Sequence, residues 1–224
     1  MASPTSPYKY FLVSTPIPYV THVQINRPSK LNSFYEPMWL ELKTVIDTLS
    51  LSPDVRAIIL SGAGDRAFTT GLDVQAASEA GILKQVAGDT ARKAVGIKRH
   101  VEEFQNCVGS VEKCEKPVIC VLHGFSFGLA LDLSTCADIR LCTSDVKLAE
   151  KAIAAALEIA GLLASKSPVA VQGTKELLNH ARDHTVADSL RYTGVWNSAA
   201  IQTSDVERAM LSGLKKTKPT FEKL

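Results

Sequence analysis

No run of about 18 apolar residues occurs in this chain, so no segment reads as a membrane-spanning helix. The N-terminal stretch Met1 to Tyr10 is rich in Ser and Pro and lacks the apolar centre of a secretory signal. No two cysteines have C-x-x-C spacing; Cys107, Cys114, Cys120, Cys136 and Cys142 are odd in number, with no His at ligand spacing from a pair. That excludes a disulfide framework and a cysteine-based zinc site, and no metal is expected. Free thiols buried in a reducing compartment fit instead, above all for Cys120, Cys136 and Cys142 in their apolar contexts. Neither sign of charge dominates: the net charge is +2 and the pI about 8.2. A nucleic-acid binder would cluster Lys and Arg on one element. Here the densest basic stretch is Lys215, Lys216 and Lys218, which suits either a solvated helix end or contact with a phosphorylated ligand. Repeats and low-complexity tracts are absent as well.

What is present is a core-forming composition. Hydrophobic residues make up 46% and charged residues 21% of the 224, enough to fold as one unit without a staple. The pattern alternates. Val20–Ile25, Val55–Leu60, Pro117–Leu122 and Ala137–Cys142 read as strands. Glu36–Leu49, with apolar residues at Met38, Leu42, Val45, Ile46 and Leu49, reads as a helix with Pro37 in its first turn. Lys84–Glu112 and Gly128–Cys136 also read as helical, whereas Ser61–Gly71 reads as a Gly-rich loop. From Glu150 onward the pattern is nearly all helix: Glu150–Ala164, Pro168–Ala181, Val186–Ala200 and Ser204–Leu214. Strands separated by helices predict an α/β fold with parallel strands, followed by a helical region.

Two segments carry candidate chemistry: Ala67-Phe68-Thr69-Thr70-Gly71-Leu72-Asp73 and His123-Gly124-Phe125-Ser126-Phe127-Gly128-Leu129-Ala130-Leu131-Asp132. Each places small residues after a buried strand, where main-chain N–H groups can face a ligand or simply form a turn. Two such groups on one carbonyl oxygen would make an oxyanion hole. Asp132 reads either as an acid–base group or as a carboxylate stabilised by a helix N-terminus. His123 reads as a hydrogen-bonded turn residue. Ser126 lacks the G-x-S-x-G context of a hydrolase, and Gly62-Ala63-Gly64 lacks the full G-x-G-x-x-G of a dinucleotide site.

The order Asn26-Arg27-Pro28-x-Lys30-x-Asn32, then Ala67–Asp73, Lys116-Pro117-Val118-Ile119 through Gly128, and Cys136-Ala137-Asp138-Ile139-Arg140 resembles the crotonase (enoyl-CoA hydratase/isomerase) superfamily over nearly the whole chain. Ser165–Gln172, Arg182-Asp183-His184, Ser189-Leu190, Trp196-Asn197 and Gln202-Thr203 resemble its Δ3,5-Δ2,4-dienoyl-CoA isomerase branch. The resemblance implies a crotonase-like spiral of ββα units over residues 1–149 and a helical oligomerisation region over 150–224, in a trimer or a dimer of trimers. It implies an acyl-CoA thioester substrate, no separate cofactor, and no nucleic-acid or membrane partner. Thr70 and Leu129 would supply the oxyanion N–H groups, with Leu129 standing where relatives usually have Gly. Lys30, Leu31, Thr70, Gly71, Leu72, Asp73, Val74 and Leu129 would line the acyl-CoA site, with Lys218–Phe221 approaching it more loosely. Asp132 would be the acid–base residue, where hydratases have Glu, in an apolar pocket that raises carboxylate pKa values. The C-terminal Glu222-Lys223-Leu224 resembles a peroxisomal Ser-Lys-Leu address with its small first residue replaced; mitochondrion and cytoplasm are the alternative compartments.

The sequence also departs from that pattern. After Ser144-Asp145-Val146 the family continues into a segment bearing further acids. Here Val146-Lys147-Leu148-Ala149 runs directly into Glu150-Lys151-Ala152, which resembles a much later helix. A few dozen residues are expected to be missing at this junction. Asp132 alone cannot serve both ends of a dienolate, and acid–base assistance is worth roughly 10²–10⁴ in rate.

Overall fold

A computed structural model describes residues 7–76, 89–142 and 149–224. The chain winds through repeated strand–strand–helix units. The first unit is β1 (Phe11–Ile17), β2 (Val20–Ile25) and α1 (Glu36–Leu51). The second is β3 (Ala57–Gly62), β4 (Ala67–Thr69) and the helices α2 (Thr90–Val108) and α3 (Ser110–Lys113). The third is β5 (Val118–Leu122), β6 (Phe125–Ser126) and α4 (Leu129–Cys136), after which come β7 (Ile139–Cys142) and four helices. Those helices are α5 (Ala149–Ala164), α6 (Pro168–His180), α7 (Val186–Ala200) and α8 (Ser204–Lys215).

The main sheet has the order β1-β2-β3-β5-β7, with β2, β3, β5 and β7 parallel, as the alternation of elements predicts, and β1 antiparallel at the edge. β4 and β6 form a separate parallel ribbon. Residues of period two divide the core. Val23, Ile25, Ile58, Leu60, Val118 and Cys120 face the Met38, Leu42, Val45 and Ile46 side of α1. Val20, Ala57, Ile59, Ile119 and Val121 face α5, where Ala156, Ala160 and Ala164 repeat every fourth residue and let the helix settle close to the sheet.

Several boundaries differ from the sequence reading. β1 was not anticipated: Pro16 lies within it and the pairing slips between Ser14 and Ile17, both marks of an edge strand. The Gly-rich loop contains β4, whose three residues are too few to show a period. Part of the expected Lys84–Glu112 helix, residues 84–88, and the junction segment 146–148 lie outside the described residues. Of the three cysteines read as buried thiols from their apolar contexts, only Cys120 is fully buried; Cys136 is half-buried and Cys142 exposed, while Cys107 and Cys114 join the core. Burial pushes the Cys120 thiol up to about 12.

α5 starts at Ala149 and packs on the sheet. α6 is anchored by a buried ion pair. Lys175 on α6 lies 2.9 Å from Asp138, and its Nζ donates to the Lys116 carbonyl at 2.9 Å. Asp138 also accepts the Val118 N–H at 2.7 Å. Lys175→Met would leave that carboxylate without its cation, and we expect a loss of about 2–3 kcal/mol in urea denaturation, smaller when Asp138 is neutralised as well.

On the α5 face, His22 Nε2 lies 2.8 Å from Ser61 Oγ, and burial pushes its pKa down to about 4. The unfolded chain binds that proton near pH 6.5, so the contribution of neutral His22 is full above that value and is lost as pH falls toward 4. We expect a loss on the order of 3 kcal/mol across this window. The slope flattens in His22→Gln when urea midpoints are compared at several pH values.

Candidate active site

The site is built by a buried asparagine. Leu31 and Asn32 adopt left-handed conformations, with φ of 50° and 55°, a geometry Asn tolerates better than most residues. Asn32 then uses every side-chain atom: Oδ1 accepts the Arg27 N–H at 2.9 Å, and Nδ2 donates to the Ala63 and Ala67 carbonyls at 3.0 and 2.8 Å. Its own carbonyl accepts Thr69 Oγ1 at 2.7 Å. These bonds tie the Asn26–Asn32 segment to the loop between β3 and β4. Gly62 permits the approach, since a Cβ there would lie 2.5 Å from the Ala67 and Phe68 carbonyl oxygens.

The two candidate loops are zipped together by the β4–β6 ribbon. Phe68 donates to His123 at 2.8 Å, Phe125 to Arg66 at 2.9 Å, and Phe127 to Thr69 at 3.1 Å, all main chain to main chain. The ribbon delivers Gly71 (φ +88°) against the turn before α4. A Cβ built on Gly71 would lie 3.0 Å from the Phe127 carbonyl oxygen and 3.4 Å from the Leu129 nitrogen. Gly128, also at positive φ (55°), completes the close approach.

Which N–H groups remain free differs from the expectation in one respect. Thr70 donates its N–H to the Leu31 carbonyl at 3.1 Å, so it is not available to a ligand. Gly71 donates to Thr69 Oγ1 at 3.2 Å, and Asp73 donates to the Phe34 carbonyl at 2.7 Å. Leu72, between them, has no acceptor for its N–H among the described residues. Leu129, the first residue of α4, likewise has none, as helix starts require. Among the described residues, Leu72 and Leu129 thus each carry an unpaired amide at the loop contact, as does Gly128 just before Leu129. Reading the motif placed Leu72 only in the lining and gave the donor role to Thr70, because residue spacing cannot show which side of a left-handed Gly is already bonded.

The remaining site residues distribute as follows. Lys30 is exposed on the 3-10 turn Pro28–Lys30, and Leu31 is half-buried beside Thr70. Leu72 and Val74 are exposed, and Asp73 is largely enclosed. The Asp73 carboxylate accepts the Ala76 N–H and pairs with Arg27 at 2.7 Å, which holds its pKa below the usual range, the backbone bond contributing most. Arg27 also donates to the Ser33 carbonyl at 2.9 Å. Asp73 is thus occupied in fixing the loop. Asp132 lies one turn into α4 and is exposed, with no hydrogen bond or ion pair to its carboxylate among the described residues. Among the described residues no apolar enclosure covers it: Leu131, its neighbour in the chain, is exposed, as are Phe125 and Phe127 before α4. His123 is buried, with Nε2 3.0 Å from the Gly64 carbonyl oxygen, and burial lowers its pKa, in keeping with a turn residue. Lys218–Phe221 lies away from the site. The Phe221 carbonyl accepts Arg56, just before β3, whereas the site follows the other end of that strand.

A family model described as "Enoyl-CoA hydratase/isomerase" matches residues 20–155. The chain belongs to the enoyl-CoA hydratase/isomerase family, and its fold is that of crotonases. It is 30% identical to the mitochondrial Delta(3,5)-Delta(2,4)-dienoyl-CoA isomerase of Pongo abelii, over 99% of this chain and 85% of that protein. It is 31% identical to the peroxisomal enzyme of the same name from Arabidopsis thaliana, over 92% of this chain and 93% of that one. The crystal structure of enoyl-CoA hydratase from Bacillus anthracis superposes with a TM-score of 0.81 at 19% identity, covering 96% of this chain and 99% of that one. The alignment with the Pongo protein spans 282 positions, so at least 58 of them face no residue of this 224-residue chain. That size agrees with a missing internal segment of a few dozen residues.

Gly71→Ala tests the loop contact. The added methyl meets the Phe127 carbonyl from a backbone conformation that Ala disfavours by about 1–2 kcal/mol. Lower thermal stability, together with loss of acyl-CoA binding by calorimetry, is the expected outcome.

Proposed function

We propose that this chain binds an acyl-CoA thioester at the contact between its two Gly-containing loops, and that it is a Δ3,5-Δ2,4-dienoyl-CoA isomerase of fatty acid β-oxidation with strongly reduced turnover. The observation that carries this reading is the pair of unbonded N–H groups, Leu72 and Leu129, brought together by Gly71. They would hold the thioester oxygen as negative charge develops on it. The thioester carbon skeleton would run along Leu72, Phe127 and Leu131, and the CoA portion past Lys30, Leu31 and the Gly71–Val74 segment.

In the reaction a base removes a proton from the carbon next to the thioester. Charge spreads over a dienolate, and a proton returns at the far end, which moves both double bonds. Asp132 is the carboxylate at hand, one helical turn beyond Leu129. Its exposure is the reason for low turnover: water levels the basicity of an open carboxylate, and among the described residues no second acid is assigned to the other end of the dienolate. Aspartate at this position favours isomerisation over hydration, which in hydratases uses Glu.

The same exposure favours a second reading, an acyl-CoA-binding homologue without turnover. The names of the relatives point to mitochondrion or peroxisome as the compartment. Leu190 and Val195 on α7 are exposed, and no residue of α7 is buried; we propose residues 150–224, beyond the α5 contact with the sheet, as the surface that joins copies of the chain.

The assay is formation of conjugated 2,4-dienoyl-CoA from a 3,5-dienoyl-CoA, followed by absorbance. We expect a rate about 10²-fold or more below that of a full-length relative, abolished by Asp132→Ala with acyl-CoA affinity unchanged. Turnover equal to the full-length enzyme contradicts the impairment. Residual turnover unaffected by Asp132→Ala removes that residue from the mechanism. Binding without any turnover supports the second reading.

A further inference from the structure

Away from this site, α1 and α2 bring together three side chains whose chemistry the proposed reaction does not use. Glu36 opens α1, and His100 and Glu103 lie three residues apart on one face of α2. One ligand atom from each, a carboxylate oxygen of Glu36, a ring nitrogen of His100 and a carboxylate oxygen of Glu103, lies within 4.8 Å of the other two. None of the three makes a hydrogen bond or ion pair among the described residues. Two basic residues on these helices are committed elsewhere, Lys43 to Asp47 and Lys98 to Glu102, and Arg99 makes no ion pair with Glu103 among the described residues.

The arrangement is held by packing. Trp39, one turn along α1 from Glu36, is buried and meets the His100 ring edge-on at 5.8 Å and the Phe104 ring at 5.1 Å. His100 is thereby positioned over α1 and turned toward Glu36. The N-terminal end of α1 offsets the charge of Glu36, but Glu103 stands within the body of α2, where no helix end favours a carboxylate. Two carboxylates and one imidazole are a donor set that a bound cation can bridge.

We propose that Glu36, His100 and Glu103 form a binding site for a divalent first-row metal ion of the zinc class. One imidazole and two carboxylates suit Zn²⁺, Co²⁺ or Mn²⁺, whereas Ca²⁺ and Mg²⁺ prefer all-oxygen sets and Cu(I) prefers sulfur. Bonds of about 2.0–2.2 Å require the donors to close to roughly 3.4 Å, which side-chain rotation supplies. Three protein ligands leave room for water. Because Glu36 and Glu103 come from different helices, the ion clamps α1 to α2 at the Trp39 contact. It touches neither Leu72 nor Leu129, so it is a structural metal rather than a catalytic one.

The test uses the whole protein, stripped with EDTA and titrated with Zn²⁺ by calorimetry and with Co²⁺ by visible absorption. One equivalent should bind, half-saturated at or below about 10 µM, with millimolar Mg²⁺ failing to compete. Zinc should raise the melting temperature of the stripped protein. His100→Ala and Glu103→Gln should each weaken binding at least about tenfold and abolish the rise in melting temperature, while His184→Ala leaves both intact. Zinc affinity unchanged in both site variants overturns the proposal. So does its loss in His184→Ala alone, or the absence of saturable binding. Should His100→Ala fail to melt cooperatively in EDTA, Glu103→Gln decides, because that side chain is exposed and carries no packing.

Discussion

The approach of Gly71 to the backbone of Phe127–Leu129 is the constraint on which the site depends. Two loops that follow different strands, more than fifty residues apart in the chain, come close enough that a single methyl group between them would touch a carbonyl oxygen. Such proximity is possible only where both partners lack side chains in the gap, and Gly71 and Gly128 both take positive φ there. Everything that surrounds the contact serves to hold it. The β4–β6 ribbon sets the register of the two loops, and Asn32 fixes the first loop from below with three side-chain hydrogen bonds. Arg27 and Asp73 brace its outer edge. The result is a main-chain feature, so it survives changes in side-chain identity such as Leu at position 129.

That independence matters for the proposed site, because its two tasks draw on different parts of the fold. A thioester oxygen is held by amides, which the core of the fold supplies. Proton transfer needs carboxylates in a dry pocket, and a pocket needs walls. The sheet, α1 and the ribbon are intact here, but Phe125, Phe127 and Leu131 stand exposed beside Asp132. The alignment with full-length relatives leaves at least 58 positions without a counterpart, against an expected junction at the start of α5. α5 covers the far face of the sheet through Ala156, Ala160 and Ala164, so the core closes on that side.

Much of this was legible in the sequence, for identifiable reasons. Val20–Ile25 showed itself by β-rich alternation, and Pro117–Leu122 by a short continuous apolar run, the mark of a strand covered on both faces. α1 carries a clean helical period. β1 was not legible, because an edge strand with Pro16 shows neither a strict alternation nor a continuous apolar run. The two loops could be named as candidates from their glycines, and the family motif placed Leu129 and Asp132. It gave Leu72 a place in the lining but not the donor role, since the choice between Thr70 and Leu72 turns on a hydrogen bond to Leu31 that only the folded chain reveals. The exposure of Asp132 was equally hidden, as it depends on how distant segments pack around α4. Glu36, His100 and Glu103 share no motif at all; they meet because α1 and α2 cross at Trp39.

The most direct measurement is a ¹H–¹⁵N amide spectrum recorded while a non-reactive acyl-CoA thioester analogue is titrated in. Our account predicts that the Leu72 and Leu129 amides move downfield together and gain protection from exchange, while Thr70, already bonded to Leu31, changes little. Saturable binding that leaves both leucine amides unmoved would contradict it.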